Sequence, residues 1–289
     1  MRRLGVLAVA LMVSLSACSG DDDDDASAPA AGDGDATTTS VADTTTSTVE
    51  AACMSAQRPL QIVLVNDDGV SNPAIDSLVD LLGDNDGVEL TIVAPAEERS
   101  GSSDQTTEGG ATYQPATTPD GNEAYSVNGF PADAVAVALD DLALDPHLFL
   151  SGVNPGQNVG PVAAVSGTVG VGRTAVRRDY PALAVSAGLE YDEAQFAFAA
   201  ELAADWIKAN CEALESRTAQ TETVTSINVP ACSVEQMGDL QEVPRATATP
   251  EGVNVFESTC DQSNPAPADD VAAITSGYPS ISQVEPDIT

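Results

Sequence analysis

Positive charge, histidine and aromatic side chains are all scarce in this chain. Lysine and arginine number 10 against 45 aspartates and glutamates in 289 residues, a formal charge of −35. That balance excludes a surface that grips duplex nucleic acid by neutralising its phosphates. The single histidine, His147, excludes a three-histidine zinc centre and leaves one imidazole for any triad that needs a base. No lysine follows the glycines of 167–172, so that stretch is not a Walker-type loop. The five cysteines show no Cys-x-x-Cys spacing, which argues against a zinc knuckle. Carboxylates, hydroxyls, backbone amides and a hard metal ion are left to carry the chemistry.

Hydrophobic residues make up 43% of the chain, ample for a buried core. At the N-terminus Arg2 and Arg3 precede the apolar run Leu4 to Leu15, too short to span a bilayer comfortably and followed by small residues. This is the layout of an export signal. Leu15-Ser16-Ala17-Cys18 is similar to the lipobox of bacterial lipoproteins, in which the cysteine becomes the lipid-modified N-terminus. Residues 1–17 are therefore expected to be a lipoprotein signal peptide and Cys18 its lipidation site; an ordinary cleaved secretory peptide is the plainer alternative. The expected location is the periplasmic or extracytoplasmic face of a bacterial membrane, touched only through the lipid. Residues 18–57 carry Asp21 to Asp25 and then mostly Ala, Gly, Ser and Thr. Such a segment cannot offset its ordering entropy, so it is expected to be a flexible tether ahead of a folded domain at 58–289. Cys53, Cys211, Cys232 and Cys260 then suggest two disulfides, with three connectivities open.

Leu60 to Val65 is a near-continuous apolar run rich in β-branched residues, as in a strand buried on both faces. Further strands are predicted at Val88–Ala94, Leu148–Leu150, Ala182–Val185 and Val224–Val229. Helical periodicity appears at Ile75, Leu78, Val79 and Leu82, and again along Glu193 to Cys211. Alternation at this spacing predicts an α/β fold, a mainly parallel sheet with helices on both faces.

In such sheets ligands bind beyond the carboxyl ends of the strands, where residues distant in sequence meet. The first strand ends in Asn66-Asp67-Asp68-Gly69, the second is followed by Arg99-Ser100-Gly101, and the third runs into Ser151-Gly152-Val153-Asn154. Asp-Asp-Gly alone is more often a capped turn than a metal site. Three converging strand ends favour the metal: two carboxylates, a hydroxyl and an amide oxygen suit Mg²⁺, Mn²⁺ or Ca²⁺. Ser166-Gly167-Thr168-Val169-Gly170, leading into a more helical Arg173–Arg178, has the small hydroxylated character of a phosphate cradle. Without a metal nearby, a tight packing turn would explain it as well.

These blocks, with Gly129-Phe130-Pro131-Ala132-Asp133-Ala134-Val135, Asn154-Pro155-Gly156-Gln157-Asn158-Val159-Gly160 and Tyr180-Pro181-Ala182-Leu183-Ala184-Val185-Ser186, resemble in order those of the SurE family, the survival-protein nucleotidases. The resemblance covers roughly 60–230, and the tail only weakly through Asp270–Ala273 and Gly277-Tyr278. It implies a Rossmann-like three-layer sandwich and a metal-dependent phosphatase of 5′- and 3′-nucleoside monophosphates, some members also acting on short polyphosphate. It further implies that Asp67, Asp68, Ser100 and Asn154 ligate one divalent ion, that Ser166, Gly167 and Thr168 contact phosphate, and that Asn66 and Asn158 orient it. Asp67 or Asp68 would take the proton from water.

The chain departs from the family pattern at 171–175, where a Glu-Gly is usual, and at Val165, where an aromatic residue is common. His147 replaces a common Asp and is expected at a strand edge, outside catalysis. The region between Val229 and Asp270 is short, which predicts a reduced arm for contacts between subunits, with a homodimer as the candidate assembly. The expected function is a divalent-metal-dependent phosphomonoesterase, a 5′/3′-nucleotidase releasing nucleoside and phosphate, exported as a lipoprotein. The alternative is a non-catalytic lipoprotein that binds a nucleotide or another phosphoester on the same fold.

Overall fold

The computed structural model describes residues 53–190 and 192–288; the predicted signal peptide, Cys18 and the tether up to residue 52 lie outside them. Six parallel strands form the centre of one nine-stranded sheet. In chain order the strands are β1 (Leu60–Val65), β2 (Val88–Pro95), β3 (Thr112–Thr117), β4 (Glu123–Asn128), β5 (Leu148–Pro155), β6 (Ala182–Ala187), β7 (Val224–Asn228), β8 (Gln241–Glu242) and β9 (Ser280–Val284). Their spatial order is β3-β4-β2-β1-β5-β6-β7-β9-β8. The two antiparallel pairs, β3 with β4 and β7 with β9, lie toward the edges.

Helices α1 (Asp76–Leu82) and α4 (Glu193–Ala209) pack on one face, with Leu60, Leu64, Leu78, Phe196 and Ile207 in that core. Helices α2 (Pro131–Ala136) and α3 (Gly167–Val176) pack on the other, around Val63, Val65, Phe149 and Val169. Strands covered on both faces account for the continuous apolar runs. The three-layer α/β sandwich expected from the alternation is the fold observed, and no helix among the described residues is long and apolar enough to cross a membrane.

Several boundaries differ from the pattern's prediction, each for a local reason. The third strand extends past Leu150 to Pro155 because Asn154 and Pro155 pair with Ser186 and Ala187 after a register shift. The hairpin β3–β4 is not among the predicted strands, although Asp120-Gly121 marks its turn, where Gly121 donates to the Thr118 carbonyl at 3.0 Å. The long helix breaks at Asn210, whose side-chain amide donates to the Trp206 carbonyl at 2.8 Å; α5 (Cys211–Glu215) follows. The disulfides are Cys53–Cys211 and Cys232–Cys260. The first ties Cys53, placed by composition in the tether, to the folded unit.

The largest difference is at the glycine-rich stretch, which is itself helical: α3 begins at Gly167, capped by the Ser166 hydroxyl accepting from Val169 N at 3.1 Å. Glycine weakens a helix interior, but here it permits contact. A Cβ at Gly170 would stand 2.0 Å from the Ser103 carbonyl oxygen, so α3 and the 102–104 loop meet backbone to backbone. Gly170→Ala, stabilising in an exposed helix, should here cost about 1–3 kcal/mol through overpacking. Thermal melting followed by circular dichroism checks it: a lower melting temperature is expected, and an unchanged or higher one would contradict the contact.

Candidate active site

The site is built where β1 ends. Asn66, almost fully buried, donates through its amide to the Gly69 carbonyl at 3.0 Å and accepts from Gly69 N at 3.2 Å. This closed turn uses one N–H and one lone pair of the side chain expected to orient phosphate, so Asn66 also shapes the loop. Asp67 is 2% exposed; its Oδ1 accepts from the Thr168 hydroxyl at 2.6 Å and its carbonyl accepts from Arg99 N at 2.7 Å. A Cβ at Gly167 would lie 2.7 Å from both Asp67 Cβ and Oδ2, so only glycine lets the start of α3 approach this carboxylate. Asp68 is half-buried, and its Oδ2 is enclosed without a hydrogen-bond partner.

Burial pushes the Asp67 carboxyl above its ordinary range, with the Thr168 hydroxyl holding it partly down. Asp68 is pushed up to about 8, first by burial and then by the charges of Asp67 and Glu98. Glu98 is an acidic neighbour that the strand-end pattern does not single out; its Oε1 accepts from Ser100 N at 2.6 Å. The nearby cations are committed elsewhere. Arg99 pairs with Glu97 at 3.0 Å and lies 5.8 Å over the Phe130 ring, and Arg173 pairs with Asp104 at 3.3 Å. Among the described residues no cation offsets the pair, so ionising both carboxyls out of water is costly unless a cation is supplied.

The other predicted residues fall around the same strand ends with differing parts. Ser100 is exposed on the loop after β2. Asn154, buried at the end of β5, donates to the Gly156 carbonyl at 2.6 Å, which leaves its oxygen as the ligating atom. Among the described residues no hydrogen bond links Ser100 or Asn154 to the two aspartates. Asn158 donates to the Ser186 hydroxyl at 2.9 Å, and its backbone N–H donates to Asn228 Oδ1 at 2.7 Å. Thr168, expected at phosphate, gives its hydroxyl to Asp67. Ser166 keeps its proton, since its oxygen acts as the acceptor in the cap. His147 lies just before β5, at the opposite end from Asn154, where its Nδ1 accepts from Gln61 N at 2.9 Å. That placement removes it from the chemistry.

Asp270 has a structural part that its weak resemblance at the tail does not convey. Fully buried, it accepts from Gly160 N at 3.1 Å and Ala246 N at 2.8 Å, pinning the end of the 156–160 loop. Its signal in the sequence is only an acidic pair at a helix start, which capping alone would explain.

Two carboxylates with neutral oxygens nearby form a hard, all-oxygen donor set. Among the described residues no three His, Cys, Asp or Glu side chains gather as they would around a metal ion. The fit to a cation rests on the enclosed, partnerless Asp68 Oδ2 and on the uncompensated pair. With only small side chains at the start of α3 beside it, such a site can hold a cation and an anionic group together.

The family model described as Survival protein SurE matches residues 62–251. A 5′-nucleotidase SurE of Clostridium botulinum is 35% identical over 185 residues, spanning 62% of this chain and 69% of the relative. One from Prochlorococcus marinus is 32% identical over 259 residues, 80% of this chain and 92% of the relative. The crystal structure of the SurE protein from Aquifex aeolicus shares the fold, with a TM-score of 0.61 at 22% identity over 79% of this chain and 94% of that one.

The raised Asp68 carboxyl has a consequence for stability without metal. From the ordinary value of 3.8 up to about 8 the unfolded chain releases a proton that the folded one keeps, so stability declines as pH rises through that window. Asp68→Asn, which cannot ionise, should melt at a higher temperature than the parent at pH 8 and above in chelator, the gap closing toward about pH 4. Parallel melting curves across that range would refute the assignment.

Proposed function

The chain belongs to the SurE family, and from that premise we propose that it is a divalent-metal-dependent phosphomonoesterase, a 5′/3′-nucleotidase exported as a lipoprotein through Cys18. The observation that carries this reading is buried Asp67 beside half-buried Asp68, with no cation offsetting them among the described residues and set against the start of α3. Asp67, Asp68, Ser100 and Asn154 would hold the ion. When bound, a hard divalent ion supplies Lewis acidity toward a phosphoryl oxygen and toward the attacking water.

The chain's own residues divide the remaining work. Thr168 fixes Asp67 through its hydroxyl, so the two carboxylates are not equivalent. Asp68 has the carboxylate oxygen without a partner, which leaves that atom available to take the proton from water. The Ser166 hydroxyl and the first amides of α3 face the build-up of negative charge on phosphoryl oxygens, as helix N-termini do for anions. Asn158, oriented by Ser186 and Asn228, and Asn66, through its turn, keep these groups in place. The substrate is a nucleoside monophosphate, and the relatives' name, 5′-nucleotidase, supports that choice.

Phosphate release by the purified full chain from nucleoside monophosphates, with Mg²⁺, Mn²⁺ or chelator, tests the proposal. Turnover is expected only with metal and should fall by roughly 10² or more in Asp68→Asn. Saturable nucleotide binding without turnover would instead support a binding lipoprotein. Because the charge of −35 repels an anionic substrate, kcat/KM should rise with inert salt; a clear fall would contradict that electrostatic picture. Export is tested by incorporation of labelled palmitate in a bacterial host, expected in the parent and absent in Cys18→Ala.

A further inference from the structure

Aromatic residues are few, yet one of them, Phe256, lies near the end of β5, beside the Asn154 loop. Gly156 follows the end of β5 with φ +120°, and its carbonyl accepts from the Asn154 amide at 2.6 Å. A Cβ placed on Gly156 would stand 3.4 Å from Leu189 Cδ1, 3.7 Å from Phe256 Cε1 and 3.8 Å from Asn154 Nδ2. Two apolar side chains from distant parts of the chain therefore converge on one point beside a residue of the candidate metal set.

Neither side chain is there to fill the main core. Leu189, just beyond β6, is 57% exposed, which leaves most of a large apolar surface in water beside Gly156. Phe256 is partly buried against a small satellite cluster formed by Val159, Ala246, Val255, Val271 and Ile274. It sits on the loop closed by Cys232–Cys260, four residues before the second cysteine. Ser258 clamps the same loop, accepting from Ala231 N at 3.3 Å and donating to the Ile274 carbonyl at 2.7 Å. A covalently closed loop holds its aromatic side chain at low entropic cost, as a preformed recognition surface requires.

We infer that Leu189 and Phe256 form the wall that receives the nucleoside part of the substrate, with the planar base against the aromatic and aliphatic surface and the phosphate directed to the aspartates. This rests on the nucleotidase reading and adds the source of its selectivity: esters with a flat, apolar leaving group are preferred over inorganic polyphosphate and small alkyl phosphates. Both side chains would act as specificity residues that touch the substrate away from the reacting atoms.

The test compares the full-length parent, Leu189→Ala and Phe256→Ala on adenosine monophosphate, glycerol phosphate and tripolyphosphate, and measures binding of phosphate-free adenosine by saturation-transfer NMR. Removing a stacking or packing surface should raise KM for adenosine monophosphate roughly tenfold, with kcat little changed. Constants for tripolyphosphate and glycerol phosphate should stay within about twofold, and adenosine contacts should weaken in both variants. An unchanged KM, or an equal rise for all three substrates, would overturn the inference, as would absence of adenosine binding in the parent. If no ester is turned over but adenosine binds the parent and is lost in the variants, the nucleotidase reading falls while the base-binding wall stands. Should Phe256→Ala fail to fold, Leu189→Ala, at an exposed position, decides the question alone.

Discussion

Two adjacent carboxylates taken out of water at the end of β1 set the terms for the rest of the site. Desolvating such a pair is expensive, and among the described residues no arginine or lysine offsets it. The surroundings keep the pair in place without neutralising it. The Thr168 hydroxyl bonds to Asp67, Asn66 closes the turn that presents both residues, and Gly167 lets α3 press against the Asp67 side chain. Gly170 carries the same close approach one turn further, onto the loop that follows β2. A helix rich in glycine is poor in isolation; here its weakness is offset by a fit that no larger residue permits.

A second layer of buried polar groups positions the loops around that pair. Asp270 holds Gly160 and Ala246 together, and Asn228 and Ser186 fix Asn158. The Cys232–Cys260 bridge closes the loop that carries Phe256, which, like Leu189, comes close to Gly156. In a chain with 4% aromatic residues, one held by a disulfide-closed loop beside the candidate metal set points to recognition, since the core is filled mainly by aliphatic residues. The strongly acidic surface contributes solubility and repels anions, so selectivity and affinity must come from this local constellation.

The strands were legible because each is covered on both faces and therefore reads as an apolar run. The carboxyl-end rule for parallel sheets then pointed to Asp67, Asp68 and Asn154, which the structure places at neighbouring strand ends. Elements whose signals lie in pairing rather than composition were harder to see. The β3–β4 hairpin has an exposed, polar outer strand, and the two-residue β8 has too few side chains for any period. The glycines of 167–172 suggested a loop because helix propensity is a local measure, whereas the helix is stabilised by contacts with residues far away in sequence.

By itself the sequence determined the sandwich of helices about a parallel sheet, the strand ends that carry oxygen donors, and the exclusion of a three-histidine zinc centre and of a Walker-type loop. Those follow from composition and short-range periodicity, which act on neighbouring residues. Tertiary structure alone decided which of three disulfide connectivities forms, that Thr168 serves Asp67, that Asn66 closes its own turn, and that Leu189 and Phe256 both come close to Gly156. Each of these is a contact between segments brought together only when the sheet assembles, so its geometry has no local signature along the chain.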